Sequence, residues 1–199
     1  MSALALRDAV MAVRQARGDG DIVIVTMGAA REWQALGPLH PLDLFFVPSA
    51  MGHATSVGLG IALARPARRV IVLNGDGSML MNLGSLVTIT AERPENLVLV
   101  LCDNGAYEVT GAQPTPGTPA GRAGGDAVDW VAMARAAGFT AVLRFDDLSS
   151  WREGLPGVLT AAGPVFVHLV TQADADAGGP RSPGPAPDRA RALRAALSG

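Results

Sequence analysis

Apolar residues occur along the chain in short runs that alternate with segments of helix length. Runs rich in β-branched residues predict strands at 21–26, 43–47, 69–74, 96–103, 139–145 and 164–170. Helices are predicted at 3–17, 51–64, 79–92, 126–137 and 147–162. Strands that are apolar on both faces belong to a parallel sheet covered by helices on both sides. The pattern therefore predicts an α/β fold with a doubly wound, mostly parallel sheet in a three-layer α/β/α sandwich.

Two segments depart from this alternation. Residues 107–125 are rich in Gly, Pro and Thr, which predicts a long surface loop that is either functional or disordered. Residues 173–199 read as a proline-rich linker followed by a short basic helix, so we expect one domain over residues 1–172. The tail either packs on a neighbouring molecule or stays mobile.

The predicted helices at 51–64 and 79–91 carry no charge on any face. A helix that is apolar all round is normally buried. Because one sheet covers only one helix face, this pattern predicts that a second protein chain covers the other.

Composition narrows the possible partners. The net charge is -2 and only 17% of residues are charged, so nothing attracts nucleic acid. Residues 44–64 are uncharged and long enough to span a bilayer, but Pro48 and three glycines interrupt them, which argues against a membrane segment. The single cysteine, Cys102, excludes an internal disulfide and fits a buried thiol in a reducing cytoplasm.

The sequence Gly75-Asp76-Gly77-Ser78 follows a predicted strand and opens a helix. Such a helix start favours an anion by only about 0.3–1 kcal/mol, or about 2 kcal/mol when partly buried. This is too little to hold a diphosphate, and a Mg²⁺ ion with a carboxylate ligand would supply the missing attraction. The alternative interpretation is an ordinary Asp-Gly turn in which Asp76 caps the helix.

A second turn follows the next strand. Residues 78–102 make up one helix and one returning strand, so Asp103-Asn104-Gly105 is expected beside Gly75-Asp76-Gly77. Asn104 can offer an amide oxygen and the loop after it a backbone carbonyl. Oxygen donors suitable for Mg²⁺ are therefore predicted to converge at one edge of the sheet.

The order and spacing of these two turns resemble the signature of the diphosphate-binding domain of thiamine diphosphate enzymes. The resemblance implies the thiamine diphosphate-binding fold, with thiamine diphosphate and Mg²⁺ as cofactors. It also implies that Mg²⁺ is bound by Asp76, Asn104 and the carbonyl of Ala106, and that the diphosphate is contacted by Ser78 and the nearby backbone of Gly75 and Gly77.

Two further segments fit the same family. Residues 48–64 resemble the stretch that holds the aminopyrimidine, which implies that Met51 lies under the cofactor rings and that the backbone of Ser49 and Met51 bonds the pyrimidine. In the first strand-loop, Thr26 and Gly28 also lie where they could contact the diphosphate. His53 either faces the substrate or serves as a polar neighbour, and His168 is expected to be structural.

The segment "DNGAYEVTGAQPTP", residues 103–116, resembles the loop of sulfopyruvate decarboxylase beta subunits and phosphonopyruvate decarboxylases. These enzymes remove CO₂ from a small 2-oxo acid that carries an anionic group. The resemblance implies that Tyr107 contacts the cofactor and that the substrate site is lined or closed by Tyr107, Glu108, Thr110 and Gln113. Arg31 and Arg122 are candidates for binding the anionic group.

The family requires a glutamate at the pyrimidine ring, and that residue belongs to a separate pyrimidine-binding domain. No glutamate here has its context, so the catalytic glutamate is expected from an alpha-type partner subunit in a hetero-oligomer. The chain is thus interpreted as the beta-type subunit of a Mg²⁺- and thiamine diphosphate-dependent decarboxylase. Alternatives are a split acetolactate synthase-like carboligase subunit and a non-enzymatic nucleotide-binding module; a ferredoxin-linked oxidoreductase subunit would typically bring more cysteines.

Overall fold

The computed structural model describes residues 4–45, 51–121, 123, 125–173 and 184–198. Its strands are β1 Ile22–Val25, β2 Asp43–Phe45, β3 Val70–Gly75, β4 Leu97–Asp103, β5 Ala106–Tyr107, β6 Gln113–Pro114, β7 Ala141–Phe145 and β8 Val165–Val170. Its helices are α1 Leu6–Ala16, α2 Met27–Ala35, α3 Ala54–Ala64, α4 Asp76–Leu80, α5 Gly84–Glu92, α6 Trp130–Ala136, α7 Leu148–Thr160 and α8 Ala186–Ser198.

Six strands form one sheet in the order β2-β1-β3-β4-β8-β7, and every pair in it is parallel. After β2 the chain returns to the other side of β1, so the winding direction reverses between β1 and β3. In open α/β sheets, ligands bind at the carboxyl ends of the strands beside such a reversal. The predicted doubly wound sheet is confirmed, and its topology selects the edge at which a site is expected.

The central strands alternate their side chains between two apolar layers. Ile71 and Leu73 of β3 pack in one layer with Trp33 and Trp151, while Val70 and Val72 pack in the other, which contains Trp130. All residues from Val70 to Leu73 are at most 1% exposed because helices cover both faces. This arrangement explains why these strands read as continuous apolar runs and confirms the three-layer sandwich.

Several predicted boundaries need correction. The single helix expected at 79–92 is two helices, α4 and α5, joined by a turn in which the Ser85 hydroxyl donates to the Asn82 carbonyl. The helix expected from residue 51 begins at Ala54, and the one expected from 126 begins at Trp130. The predicted loop at 107–125 contains the short hairpin β5–β6. Helix α2 was not predicted.

The C-terminal helix packs on its own chain, which is neither of the two fates expected for the tail. Leu193 of α8 is 6% exposed and belongs to the apolar layer that contains Trp130. The Arg189 guanidinium donates to the Phe45 carbonyl at the end of β2. Helix α8 therefore lies against the β2 edge; the linker at 174–183 lies outside the described residues, and the boundary at residue 172 stays a prediction. Across the described ranges, no helix has the length and apolarity needed to cross a membrane.

Candidate active site

Three strand ends meet at the edge selected by the topology. Val25 of β1 pairs with Leu73 of β3, and Gly75 of β3 pairs with Cys102 of β4. The turns after these strands are therefore neighbours in space. The expectation that the Asp103 turn emerges beside the Gly75 turn is confirmed.

A cavity of about 300 Å³ opens at this edge. It is lined by most residues singled out in the sequence: Thr26, Gly28, Met51, Gly75, Asp76, Gly77, Ser78, Asn104, Ala106, Tyr107, Glu108 and Thr110. The other lining residues are mainly apolar and were not predicted: Leu6, Met27, Ala29, Met81, Cys102 and Val109. Gln113, Arg31 and His53 do not line the cavity. Ser49 and Arg122 lie outside the described residues.

Asp76 is the buried acid of this cavity, with 2% of its surface exposed. Its carboxylate accepts a hydrogen bond of 2.9 Å from the Thr115 hydroxyl and others from the backbone N–H groups of Gly77 and Asn104. Burial, and secondly the negative charge of Asp103, raise the pKa of Asp76 to about 6 despite these three donors. A carboxylate in this environment is stabilised by a nearby cation.

The Asp103 turn is shaped by its own side chains. Asn104 Oδ1 accepts the Ala106 N–H at 3.0 Å, and Asp103 Oδ1 accepts the Gly105 N–H at 3.2 Å. Asp103 Oδ2 lies 2.9 Å from Nε2 of His168 in β8, which fits the structural role expected for that histidine. The turn thus places the Asn104 amide and the Ala106 backbone beside Asp76.

A third turn, Met51-Gly52, is connected to the start of α4. The Gly52 N–H donates to Ser78 Oγ at 2.9 Å, and Asn82 Nδ2 donates to the Gly52 carbonyl at 2.8 Å. Gly52 has a φ of +85°, a conformation that favours glycine. Because Ser78 Oγ accepts from Gly52, its own proton remains available to donate to an anionic oxygen in the cavity.

Helix α2 brings a further backbone turn into the cavity. Thr26 precedes the helix, and the Thr26 N–H donates to the Leu73 carbonyl of β3 at 3.3 Å. Met27 has a φ of +55°, an uncommon conformation for a residue with a side chain. Such strain occurs at binding sites, where the surrounding structure holds it in place. The sequence carries little signal for this feature, because "TMGAAREWQA" has neither a charged cap nor a clear apolar stripe.

Cys102 lies at the base of the cavity and is 5% exposed, which confirms the predicted buried thiol. Burial, followed by the charges of Asp76 and Asp103, raises the pKa of Cys102 to about 12. The sulfur is therefore protonated at neutral pH and contributes an apolar surface.

The donor chemistry fits a hard divalent cation. Asp76, Asn104 and Ala106 line the same cavity. A carboxylate, an amide oxygen and a backbone carbonyl are the kind of oxygen set that Mg²⁺ shares with phosphate and water. Over the described part of the chain, no group of three or more His, Cys, Asp and Glu side chains is placed to hold a metal ion. One carboxylate and neutral oxygens would leave coordination positions that phosphate or water oxygens can occupy.

Comparison with known proteins agrees with this geometry. Residues 21–169 match the family of thiamine pyrophosphate enzymes, C-terminal TPP binding domain. The chain is 40% identical over 154 residues to sulfopyruvate decarboxylase subunit beta of Methanothermobacter thermautotrophicus, covering 76% of this chain and 74% of that protein. It is 44% identical over 125 residues to phosphonopyruvate decarboxylase of Streptomyces hygroscopicus, covering 63% of this chain but only 29% of that protein.

Among solved structures, the chain resembles 2-oxoglutarate:ferredoxin oxidoreductase from Magnetococcus marinus. The TM-score is 0.67 at 19% identity, over 84% of this chain and 60% of the other. At this identity the similarity concerns the fold alone.

Proposed function

The chain belongs to the family of thiamine pyrophosphate enzymes that share the C-terminal TPP binding domain, and from this premise we propose its function. We propose that it is the beta-type subunit of a two-subunit, Mg²⁺- and thiamine diphosphate-dependent 2-oxo acid decarboxylase. The observation that supports this most directly is the position of Asp76, buried beside the Asn104 turn and without a bonded cation among the described residues.

In this proposal Asp76, Asn104 and the carbonyl of Ala106 bind Mg²⁺, which in turn binds the diphosphate. Ser78 donates to the diphosphate, and the turns at Thr26–Gly28 and Gly75–Gly77 approach it with backbone N–H groups. Met51 lies on the same cavity wall, where it can support the cofactor rings. The cofactor supplies the electron sink for loss of CO₂, while this chain binds it, orients it and excludes water.

The substrate proposed is a small 2-oxo acid with a second anionic group. Two relatives that are 40% and 41% identical over 154 and 155 residues are named for sulfopyruvate and phosphonopyruvate, whereas an acetolactate synthase relative matches over 155 residues at only 32% identity. Tyr107, Glu108 and Thr110 line the cavity, as do the apolar residues Leu6 and Met81. These residues would form one wall of the substrate site, with the catalytic glutamate on the partner subunit.

The proposed partner is an alpha-type subunit with a pyrimidine-binding domain. The outer surface of α3 and α5 supports a protein interface, because Leu63 is 48% exposed and Val87 is 59% exposed. Leu63 lines a groove with the small uncharged residues Ser56, Gly60 and Thr88, and Glu92 is its one charged lining residue. The most similar relatives include several proteins named as beta subunits. The single buried cysteine fits assembly in the cytoplasm.

The direct test is to measure CO₂ and aldehyde release from sulfopyruvate, phosphonopyruvate and pyruvate. The chain alone should be inactive, and activity should require the alpha-type subunit, Mg²⁺ and thiamine diphosphate together. Turnover by the isolated chain would refute the shared site. Formation of acetolactate from pyruvate, in place of an aldehyde, would favour the carboligase alternative.

The interface has a matched pair of variants. Val87→Glu places a charge on the proposed α5 surface and should abolish assembly with the alpha-type subunit in analytical ultracentrifugation. Leu39→Glu changes another exposed apolar residue, which is 41% exposed and lies near Asp43 at the start of β2, and should assemble normally. Equal assembly of both variants would contradict the proposed interface.

A further inference from the structure

The loop that was expected to be irregular is folded directly onto the Asp76 turn. Strands β5 and β6 pair antiparallel, Ala106 with Pro114 and Tyr107 with Gln113. Beyond the hairpin, the Thr115 N–H donates to the Gly105 carbonyl at 2.8 Å. This bond joins the two ends of the segment that lines the cavity with Tyr107, Glu108 and Thr110.

Thr115 is completely buried at 0% exposure although it lies in a loop of exposed neighbours. Its hydroxyl donates to Asp76 Oδ2 at 2.9 Å, and this bond favours the ionised carboxylate. The Thr115 carbonyl accepts from both the N–H and the hydroxyl of Thr118, at 3.1 and 2.9 Å. Thr115 thus bonds to the loop through its backbone and to the acid of the site through its side chain.

The methyl group of Thr115 is used as well. A Cβ built on Gly77 would lie 3.5 Å from Thr115 Cγ2 and 2.5 Å from Cε1 of Tyr107. The threonine methyl and the tyrosine ring therefore both pack against the backbone of the Asp76 turn. These contacts form only when the hairpin is folded against the Asp76 turn.

We infer that Thr115 is a positioning residue that couples binding of the divalent cation at Asp76 to folding of the β5–β6 hairpin. The inference rests on the proposed function, because it requires Asp76 to bind a cation. The Asp76 carboxylate accepts from the Thr115 hydroxyl and from the backbone N–H groups of Gly77 and Asn104, and these three donors together restrict its orientation. Coupling of this kind is reciprocal: the cation stabilises the folded hairpin as much as the folded hairpin favours the cation.

Cation binding would therefore also affect the substrate site. The hairpin carries the side chains proposed to meet the substrate, so binding of the metal and cofactor would stabilise this wall of the substrate site. Thr115 would link the cation to the substrate site although it contacts neither the cation nor the substrate.

The test uses the full-length chain in the presence of its alpha-type subunit and thiamine diphosphate. Mg²⁺ affinity is measured by calorimetry, and hydrogen exchange of the amides in residues 105–118 is measured with and without Mg²⁺. Thr115→Val keeps the shape and the methyl contacts but removes the hydroxyl. It should weaken Mg²⁺ binding by about tenfold or more, as expected for loss of a hydrogen bond to a buried charge, and Mg²⁺ should no longer slow exchange in the hairpin.

Two variants separate positioning from loop stability. Thr115→Ser keeps the hydroxyl and should restore Mg²⁺ affinity to within about twofold of the unmodified chain, a small change on the free-energy scale. Thr118→Val removes a bond of the same loop that does not reach Asp76. It should speed hairpin exchange while the hairpin stays mostly folded, so Mg²⁺ affinity should change by less than about twofold. Thr115→Ala takes the place of Thr115→Val if circular dichroism shows that the valine variant is unfolded.

The outcomes are distinguishable. Unchanged Mg²⁺ affinity in the variant that lacks the hydroxyl overturns the role of Thr115 and leaves the proposed function intact. An equal loss in Thr118→Val overturns it too, since loop stability alone would then explain the effect. Failure of the unmodified complex to bind Mg²⁺ with thiamine diphosphate overturns the proposed function itself.

Discussion

Two buried aspartates lie at opposite ends of the same sheet, and their surroundings differ. Asp43 begins β2, its side chain is 1% exposed, and it forms an ion pair with Arg17. Its Oδ2 also accepts from Trp33 Nε1 at 2.8 Å and from the His40 N–H at 3.0 Å. Asp76 follows β3 at the other end, is bonded by a hydroxyl and backbone N–H groups, and has the negative Asp103 as its charged neighbour.

The difference is that Asp43 has a charged partner within the fold and Asp76 has none among the described residues. A buried charge is stable when it is paired, and Asp43 has its counter-ion in Arg17. Asp76 has hydrogen-bond donors but no ion pair with any described residue, and its pKa is raised to about 6. The first arrangement stabilises the fold, whereas the second fits a ligand that brings positive charge.

The largest expected loss of stability comes from breaking the ion pair between Asp43 and Arg17. Asp43→Asn leaves the Arg17 guanidinium, 7% exposed, without its counter-ion. We expect the free energy of unfolding in urea to fall by about 3–5 kcal/mol, as for other broken buried pairs. Binding of Mg²⁺ and thiamine diphosphate to the folded variant should be unchanged.

The control for this substitution is an exposed ion pair. Arg144 and Asp146 are about half exposed, at 51% and 52% of their side-chain surface. Asp146→Asn should change stability by less than about 0.5 kcal/mol. A similarly small effect of Asp43→Asn would show that the pair does not stabilise the fold.

Asp76→Asn should raise the free energy of unfolding at pH 7, whereas Asp43→Asn should lower it. In the unfolded chain Asp76 titrates near 3.8, while in the folded protein its pKa is raised to about 6, so the folded state prefers the protonated acid. Without metal, stability should therefore fall as pH rises from about 4 through 6, by an amount on the order of 3 kcal/mol. The asparagine is neutral throughout, so the variant should lack this loss and exceed the unmodified chain in stability at pH 7.

The same variant should lose the response to cofactor. Mg²⁺ with thiamine diphosphate should raise the melting temperature of the unmodified chain, because a ligand that binds only the folded state stabilises it. It should not raise that of Asp76→Asn. A variant that is less stable than the unmodified chain at pH 7, or that still responds to Mg²⁺, would place Asp76 in the structural class of Asp43.

The two aspartates were not equally readable from the sequence. Asp76 stands in a local pattern, Gly75 to Ser78, and the distance to Asn104 equals one helix and one strand, so a one-dimensional argument could place them together. Asp43 has partners just after α1, in α2 and in the loop before β2, and no spacing along the chain relates them. Long-range side-chain pairs of this kind appear only once the chain is folded.

The cavity shows the same division. The polar turns were predicted because glycine and acid residues mark them. Met27 and helix α2 were missed because the nine-residue helix has no clear apolar stripe, and the threonine before it makes no side-chain capping bond. Thr115 was missed because its burial depends on how the hairpin folds against Asp76. Local chemistry is therefore readable from the sequence, and the supporting contacts are not.

The smallest expected changes in stability come from alanine substitutions at the two glycines beside Asp76, one of which packs against a side chain while the other faces open space. A Cβ on Gly77 would lie 2.5 Å from the Tyr107 ring, whereas a Cβ on Gly75 would meet nothing within 4 Å. Gly77→Ala must displace the ring, which costs about 1–3 kcal/mol less the gain of about 1 kcal/mol from placing alanine in a helix. We expect a net loss of about 1 kcal/mol in urea unfolding for Gly77→Ala, and almost none for Gly75→Ala, whose φ of -81° suits alanine.

The two variants should differ in whether they lose cofactor binding alone or cofactor binding together with stability. The space beside Gly75 belongs to the cavity, where the proposed diphosphate approaches the backbone, so Gly75→Ala should weaken thiamine diphosphate binding while leaving the folded chain stable. Gly77→Ala should affect both properties, because Tyr107 contributes to the hairpin and to the cavity wall. If calorimetry shows full cofactor affinity for Gly75→Ala, the diphosphate does not approach this turn. The unpaired charge of Asp76 would then need another explanation.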